Sequence, residues 1–214
     1  MIHLNIKSCY SFFYSALNVE KVVENALKHK ESYVAIIDKN VMFSYYDLDE
    51  LCKKNGLNPI YGVEICVNYH DNIHNLCLIA MNDEGYKNLC KLSNIVSKSR
   101  NIIVSLDDIK ELGKGVASII PSLHGPFNSD ETIKDVYFNN YVYFLKNIYS
   151  EVYLGMELDF DKNRVNTLRE LSSKYQVKRL YFHDNVTNST RMEYSDIRNN
   201  QANLYIKHWH ENAM

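Results

Sequence analysis

The chain has 214 residues, 46% hydrophobic and 23% charged, with a formal net charge of -2. This is too apolar and too evenly charged for a disordered chain, and long enough for one large domain or two small ones with a sizeable core. The balance of 24 basic and 26 acidic side chains holds in both halves, with no basic stripe, so strong binding to duplex nucleic acid through its phosphates is not expected. No apolar run approaches the roughly 18 residues that span a bilayer, and Met1–Lys7 has no signal-peptide core. A soluble, cytoplasmic protein with no membrane contact is the expectation. The five cysteines (Cys9, Cys52, Cys66, Cys77, Cys90) form no CxxC pair, which argues against a structural zinc site and for reduced thiols acting as small hydrophobes. The many Asn, Lys, Ile and Tyr residues fit an A/T-rich coding sequence, so single Asn or Lys residues carry little weight.

Taken in chain order, the pattern is strand, then helix. Ile2–Ile6 alternates like a short strand. Asn18 caps a helix whose apolar residues Val19, Val22, Val23, Ala26 and Leu27 form one stripe. Tyr33–Ile37 reads as a strand apolar on both faces. Ser44 starts a second helix that Gly56 ends. Pro59–Val67 and Asn75–Met81 are strands joined by a short polar link, which suggests a hairpin. Asn82 caps a long helix carrying Tyr86, Leu89, Cys90, Ser93 and Val96. Ser105 opens another helix that Gly113 stops. Val116–Ile120, Glu151–Leu158 and Lys178–His183 are strands, with helices at Asp130–Leu145 and Asp161–Tyr175. Seven strands interleaved with helices predict an α/β protein. Periodicity leaves a closed barrel and an open doubly wound sheet as competing arrangements.

In a barrel of this kind chemistry collects at the C-terminal ends of the strands. The candidate positions are therefore Asn5, Lys7, Asp38, Lys39, Glu64, Asn75, Ser122, Glu157, Asp159 and Asp184. His70 and His74 have a metal-ligand spacing only if helical. They fall in a predicted turn, so a solvated loop is the expectation. His208-Trp209-His210 lies in a polar tail. Glu157, Asp159 and Asp161 place three carboxylates along one face of an extended strand, which could bind a divalent cation. The simpler reading is a strand end with Asp161 capping the next helix. There is no Ser/His/Asp arrangement with recognisable context and no Gly-rich phosphate loop.

Six segments, in order and at consistent spacing from about residue 2 to 198, resemble one family. His3-Leu4-Asn5-Ile6-Lys7-Ser8-Cys9-Tyr10-Ser11 resembles the HLHVHTEYS opening of PHP (polymerase and histidinol phosphatase) domains. Ile37-Asp38-Lys39-Asn40 resembles TDHG, and Asn58–Glu64 resembles KPIIGCE. Leu78–Leu89, which includes Glu84-Gly85-Tyr86-Lys87-Asn88-Leu89, resembles LLAKNEEGYKNL of the branch found in bacterial DNA polymerase III alpha subunits. Ser105–Ile109 with Leu123-His124-Gly125, and Phe182–Val186, follow at familiar distances.

The resemblance implies a distorted seven-stranded β/α barrel over residues 1–198, with 199–214 a polar tail or the start of a linker. It implies the N-terminal module of a DNA-directed DNA polymerase acting in DNA replication, whose polymerase domains lie elsewhere in the natural chain and use Mg. The implied partners are those remaining domains and other replisome subunits, with only weak DNA binding by this module. An intact PHP site holds several divalent metals on His, Asp, Glu and Cys ligands. Carried over position by position, the two histidines of HVH become Asn5 and Lys7, and the Asp of SLLDG becomes Tyr14. The His of TDHG becomes Lys39, and the His that precedes the fourth strand becomes Asn75, next to His74. The Cys or His after the fifth strand becomes Ser122, and the final His becomes Val186. Glu64 and Asp184 alone are retained.

The resemblance therefore implies no catalytic residue and no metal or other cofactor in this domain, which leaves a non-catalytic structural and partner-docking module. The alternative is a metal-dependent phosphoesterase or 3′-5′ exonuclease with a residual site of Glu64, Asp184, His74 and His124. Two carboxylates left in a pocket need a counter-charge. Lys7 or Lys39 is expected within about 4 Å of one of them.

Overall fold

The structure is a computed structural model that describes residues 3–99, 101–122, 125–126, 134–156 and 162–181. Seven strands form one mixed sheet: β1 (Tyr33–Lys39), β2 (Asn58–Tyr69), β3 (Asn72–Ala80), β4 (Ile103–Ser105), β5 (Val116–Ile120), β6 (Glu151–Met156) and β7 (Lys178–Tyr181). The path is β1-β2-β3-β5-β6-β7. β3 is antiparallel to both neighbours, and the other pairs are parallel. The described strands make a curled half-barrel. Two expectations change. The first strand shrinks to a bridge at Ile6, whose carbonyl accepts from Ile37 N at 2.8 Å. The short β4, beside the far end of β2, was not anticipated, because three residues are too few to show a period.

Strand alternation divides the core into two faces. Inside the curl lie Leu4, Ala35, Ile37, Ile60, Ile79 and Ile119 with their neighbours. On the outer face Val34 and Ile36 pack under helices α1 (Val19–Lys28) and α2 (Tyr45–Asn55). Ile65, Leu76 and Leu78 pack under α3 (Asp83–Lys98), α4 (Leu106–Ile109), α5 (Lys134–Ile148) and α6 (Lys162–Lys174). A short 3-10 turn, Lys110–Leu112, follows α4 and ends at Gly113.

The caps follow the sequence with one exception. Asn18 accepts from Lys21 N, Asn82 from Gly85 N and Ser105 from Asp107 N. Gly56 closes α2 in the left-handed region at φ 68°. Ser44 is helical and makes no side-chain cap bond. Leu27 and Tyr86, assigned inward by their spacing, are exposed.

The β2–β3 hairpin is tighter than the sequence suggested. His70 (φ 47°) and Asp71 (φ 60°) form a two-residue loop with both residues left-handed, the geometry that matches strand twist. β3 thus begins at Asn72 and includes His74. On the outer face His74 is buried against the rings of Tyr137 and Tyr141. Its Nε2 lies 2.8 Å from Tyr137 Oη, which itself donates to the Tyr69 carbonyl at 2.9 Å. The tyrosine proton being committed, His74 donates from Nε2.

Burial pushes the His74 pKa down to about 4. A histidine neutral in the fold and protonated when unfolded contributes stability above its unfolded pKa of about 6.5 that is lost as pH falls toward 4. Between pH 7 and pH 5, urea unfolding should show the wild-type chain losing on the order of 2 kcal/mol relative to His74→Gln. Glu31, pushed up to about 7 by burial, acts in the opposite sense in both proteins and cancels in the comparison.

Gly85, in the Glu-Gly-Tyr-Lys-Asn-Leu segment, lets α3 approach the start of β5. A Cβ there would meet the Gly115 carbonyl oxygen at 1.8 Å, and that carbonyl is engaged by Met81 N at 2.9 Å. Gly85→Ala should cost about 2–4 kcal/mol in chemical denaturation, since backbone rather than a flexible side chain must give way.

Candidate functional site

The site lies at the C-terminal end of β1 and beside the middle of β2, inside the curl. β1 delivers Lys39 and β2 delivers Glu64, residues paired in the parallel register. Because β3 runs the other way, its early residues Asn75 and Cys77 reach the same end, opposite Cys66 and Glu64. The segment before α1 supplies Asn5 and Lys7, which are buried, and Tyr14, which is half-exposed.

Glu64 is the centre. It is 5% exposed, so its charge needs compensation. Lys7 Nζ lies 2.9 Å from Glu64 Oε2 and donates to Asn5 Oδ1 at 2.5 Å. Asn75 Nδ2 donates to Glu64 Oε1 at 2.8 Å, and Cys77 Sγ donates to Oε2 at 3.6 Å. Lys39 Nζ is further off, 3.9 Å from Oε1, and donates to Tyr14 Oη at 2.9 Å with its ammonium 4.1 Å from the Tyr14 ring centroid. Burial opposes ionisation of Glu64, but the Lys7 charge and hydrogen bond, with Lys39 behind them, hold its carboxyl below the usual carboxylate range. Burial likewise works against the Lys39 ammonium, and the bond to Tyr14 and the Glu64 charge outweigh it, raising its pKa.

A second carboxylate organises the approach. Asp38, fully buried, accepts from Ser8 N and Ser11 Oγ on Oδ1 (2.7 and 2.6 Å) and from Ser8 Oγ on Oδ2 at 2.7 Å. Lys39 N closes the loop by donating to Ser11 Oγ at 3.0 Å. Residues 8–15 are thereby clamped over the end of β1, which fixes Tyr14 above Lys39.

The structure brings together Asn5, Lys7, Tyr14, Lys39, Glu64 and Asn75. Ser122 is buried just beyond β5. Asp184, Val186, His124, the Glu157–Asp161 row and His208–His210 lie outside the described residues. His74 does not join the pocket: alternation along β3 puts it on the opposite face from Asn75. A solvated loop is also wrong for it, while His70 does sit in the turn. Sequence reading missed the Asp38 clamp and Cys77. The i, i+2 relation to Asn75 on one strand could have found Cys77, and serines at i and i+3 beside an acidic strand end could have hinted at the clamp.

Among the described residues, the Lys7 ammonium stands against the Glu64 carboxylate, and Asn75 and Cys77 donate to its oxygens. Among the described residues no group of three or more His, Cys, Asp or Glu side chains could hold a metal.

The fold is shared with known proteins. Residues 3–129, more than half of the chain, match the PHP domain, and the chain is a member of that family. Over 123 residues it is 37% identical to the DNA polymerase III subunit alpha of Rickettsia bellii, covering 55% of this chain and 10% of that protein. Over 119 residues it is 32% identical to the DNA polymerase III subunit alpha of Streptococcus pyogenes, covering 56% and 11%. The matched part is thus about a tenth of the length of these relatives. Among solved structures it resembles an amidohydrolase from Chromobacterium violaceum with bound sulfate and no metal (TM-score 0.63, 10% identity, 88% of each chain). A protein from Bifidobacterium adolescentis described as a metal-dependent phosphoesterase is similar too (TM-score 0.60, 11% identity, 86% of each chain). At such identities these structures share the fold alone.

Removing one member of a buried pair strands the other. Lys7→Met and Glu64→Gln should each destabilise by about 3–5 kcal/mol, and the double variant by clearly less than their sum. Lys39→Met, at a partly exposed and more distant lysine, should cost about 1 kcal/mol or less. Urea denaturation of the four variants measures all three expectations.

Proposed function

We propose that the chain is the PHP module of a bacterial DNA polymerase III alpha subunit, the replicative DNA-directed DNA polymerase, and that within it this module is structural and non-catalytic. The observation that carries the reading is the Lys7 ammonium on Glu64, 2.9 Å away, where the family's PHP sites resemble metal centres. A fixed positive charge does the neutralising that a divalent ion would do and repels any ion that arrives. In this account the lysine pair, with Asn5 and Asn75, is a degenerate metal site that holds the open end of the sheet together.

The rest of the reading follows from the relatives. Identity of 37% to a polymerase subunit over 55% of the chain supports a parent protein whose nucleotidyl transfer, with Mg, is performed by other domains. Those domains, and other replisome subunits, are the proposed partners. Even charge supports weak DNA binding by the module itself, and a cytoplasmic setting goes with replication. No helix among the described residues is long and apolar enough to cross a membrane. The half-barrel is proposed to complete a closed seven-stranded barrel, with a domain boundary near residue 198.

Dialysis against Mn²⁺ or Zn²⁺ followed by elemental analysis should leave well under one equivalent per chain, and phosphomonoesters and DNA 3′ ends should not be hydrolysed above buffer controls. Stoichiometric metal, or a hydrolytic rate abolished by Glu64→Gln, would overturn the non-catalytic reading in favour of a phosphoesterase or exonuclease. Lys7→His with Asn5→His, which restores both histidines of the family pattern, should increase metal retention.

A further inference from the structure

Two segments beside the pocket, residues 10–14 and 43–46, display exposed aromatic side chains, of which Tyr14 also holds Lys39 in the site. Phe12 is 68% exposed, Phe13 fully so, Tyr14 47%, Phe43 62% and Tyr46 76%. The segments are joined to each other: Tyr10 meets Phe43 edge-on at 6.4 Å, and Tyr10 Oη donates to Asp47 at 3.0 Å. Exposed apolar patches of this size on soluble proteins mark interaction sites, and Phe and Tyr are enriched in the cores of interfaces.

The display is held rigid. Ser11 N donates to the Ser8 carbonyl and Tyr14 N to the Ser11 carbonyl, each at 2.9 Å, while Ser15 Oγ donates to the Lys7 carbonyl at 2.7 Å. Asp38 anchors Ser8 and Ser11 from below. Phe13 sits at φ 67°, a left-handed conformation rare for a bulky side chain. Strain of this kind persists where the surroundings impose it and clusters where a surface is used. A preorganised patch also loses little freedom on binding.

We propose that this aromatic rim is the contact face of a symmetric dimer, its occupant being a second copy of the chain. The area fits: at about 200 Å² per aromatic side chain, the five exposed rings offer roughly 700 Å², near the ~800 Å² that each partner contributes to a standard interface. The charge fits as well. Residues 10–14 and 43–46 include no charged side chain, so the patch can face its own copy without like-charge repulsion, as a two-fold contact requires. Lys39 lies on the Tyr14 ring, but neither segment carries a cation of its own, which disfavours a nucleic-acid strand that needs a positively charged groove along its backbone. The proposal does not depend on the polymerase reading.

Sedimentation of the 214-residue chain should give a mass rising with concentration toward twice 25.0 kDa. Phe12→Ser with Phe13→Ser, and separately Phe43→Ser, should each weaken association by about 30-fold or more, the scale of interface hot spots. Tyr143→Ser, at an exposed tyrosine on α5, should leave it unchanged. A single chain mass at every concentration, association indifferent to the phenylalanines, or equal weakening by Tyr143→Ser would overturn the dimer. A monomer that stacks single-stranded oligothymidine, read by tyrosine quenching lost in the Phe12/Phe13 variant, would also overturn it and assign the rim to bases.

Discussion

A carboxylate taken almost wholly out of water must be given a counter-charge, and the open end of this sheet is arranged around supplying one to Glu64. The ammonium of Lys7 at 2.9 Å is the nearest counter-charge, and the further partners come from two other strands: Asn75 and Cys77 from β3, Lys39 from β1. No two of these strands could shift register without breaking the set. A buried pair is weak grounds for net stability. Its value here lies in specifying one arrangement of strand ends, because every alternative leaves a charge buried without a partner.

The mixed direction of the sheet makes this convergence possible. In a sheet of parallel strands only C-terminal ends meet at one side. The hairpin at His70 and Asp71 reverses β3, so Asn75 and Cys77 arrive beside the middle of β2. The same alternation that turns Asn75 and Cys77 inward turns His74 outward, into a cage of tyrosines where its neutral form is favoured. One strand thus carries a polar pocket on one side and a buried histidine on the other.

Much of this was legible in the residues. Asn18, Asn82, Ser105 and Gly56 announced element ends because capping chemistry is local. The outline of the two-sided core followed from strand alternation, and the pocket positions followed from the family resemblance. What was not legible depended on distance in the chain. Ile6 needs Ile37 to be recognised as a bridge, β4 needs β2, and the left-handed turn at His70-Asp71 has neither of the Asn-Gly or Asp-Gly signals that usually mark it. Leu27 and Tyr86 fit a helical stripe yet are exposed, with Tyr86 packing on the rings of Tyr45 and Tyr61. Which lysine would approach Glu64 closely also depended on three dimensions. Lys39 is held by Tyr14 through a loop that Asp38 clamps, an arrangement that spacing alone does not reveal.

The central claim is that a lysine, and no metal, neutralises Glu64. Crystals soaked in Mn²⁺ and measured at the manganese edge test it most directly. The account predicts no anomalous peak at Glu64 and Lys7 Nζ still in contact with its carboxylate. A manganese peak coordinated by Glu64, with the Lys7 side chain displaced, would contradict it.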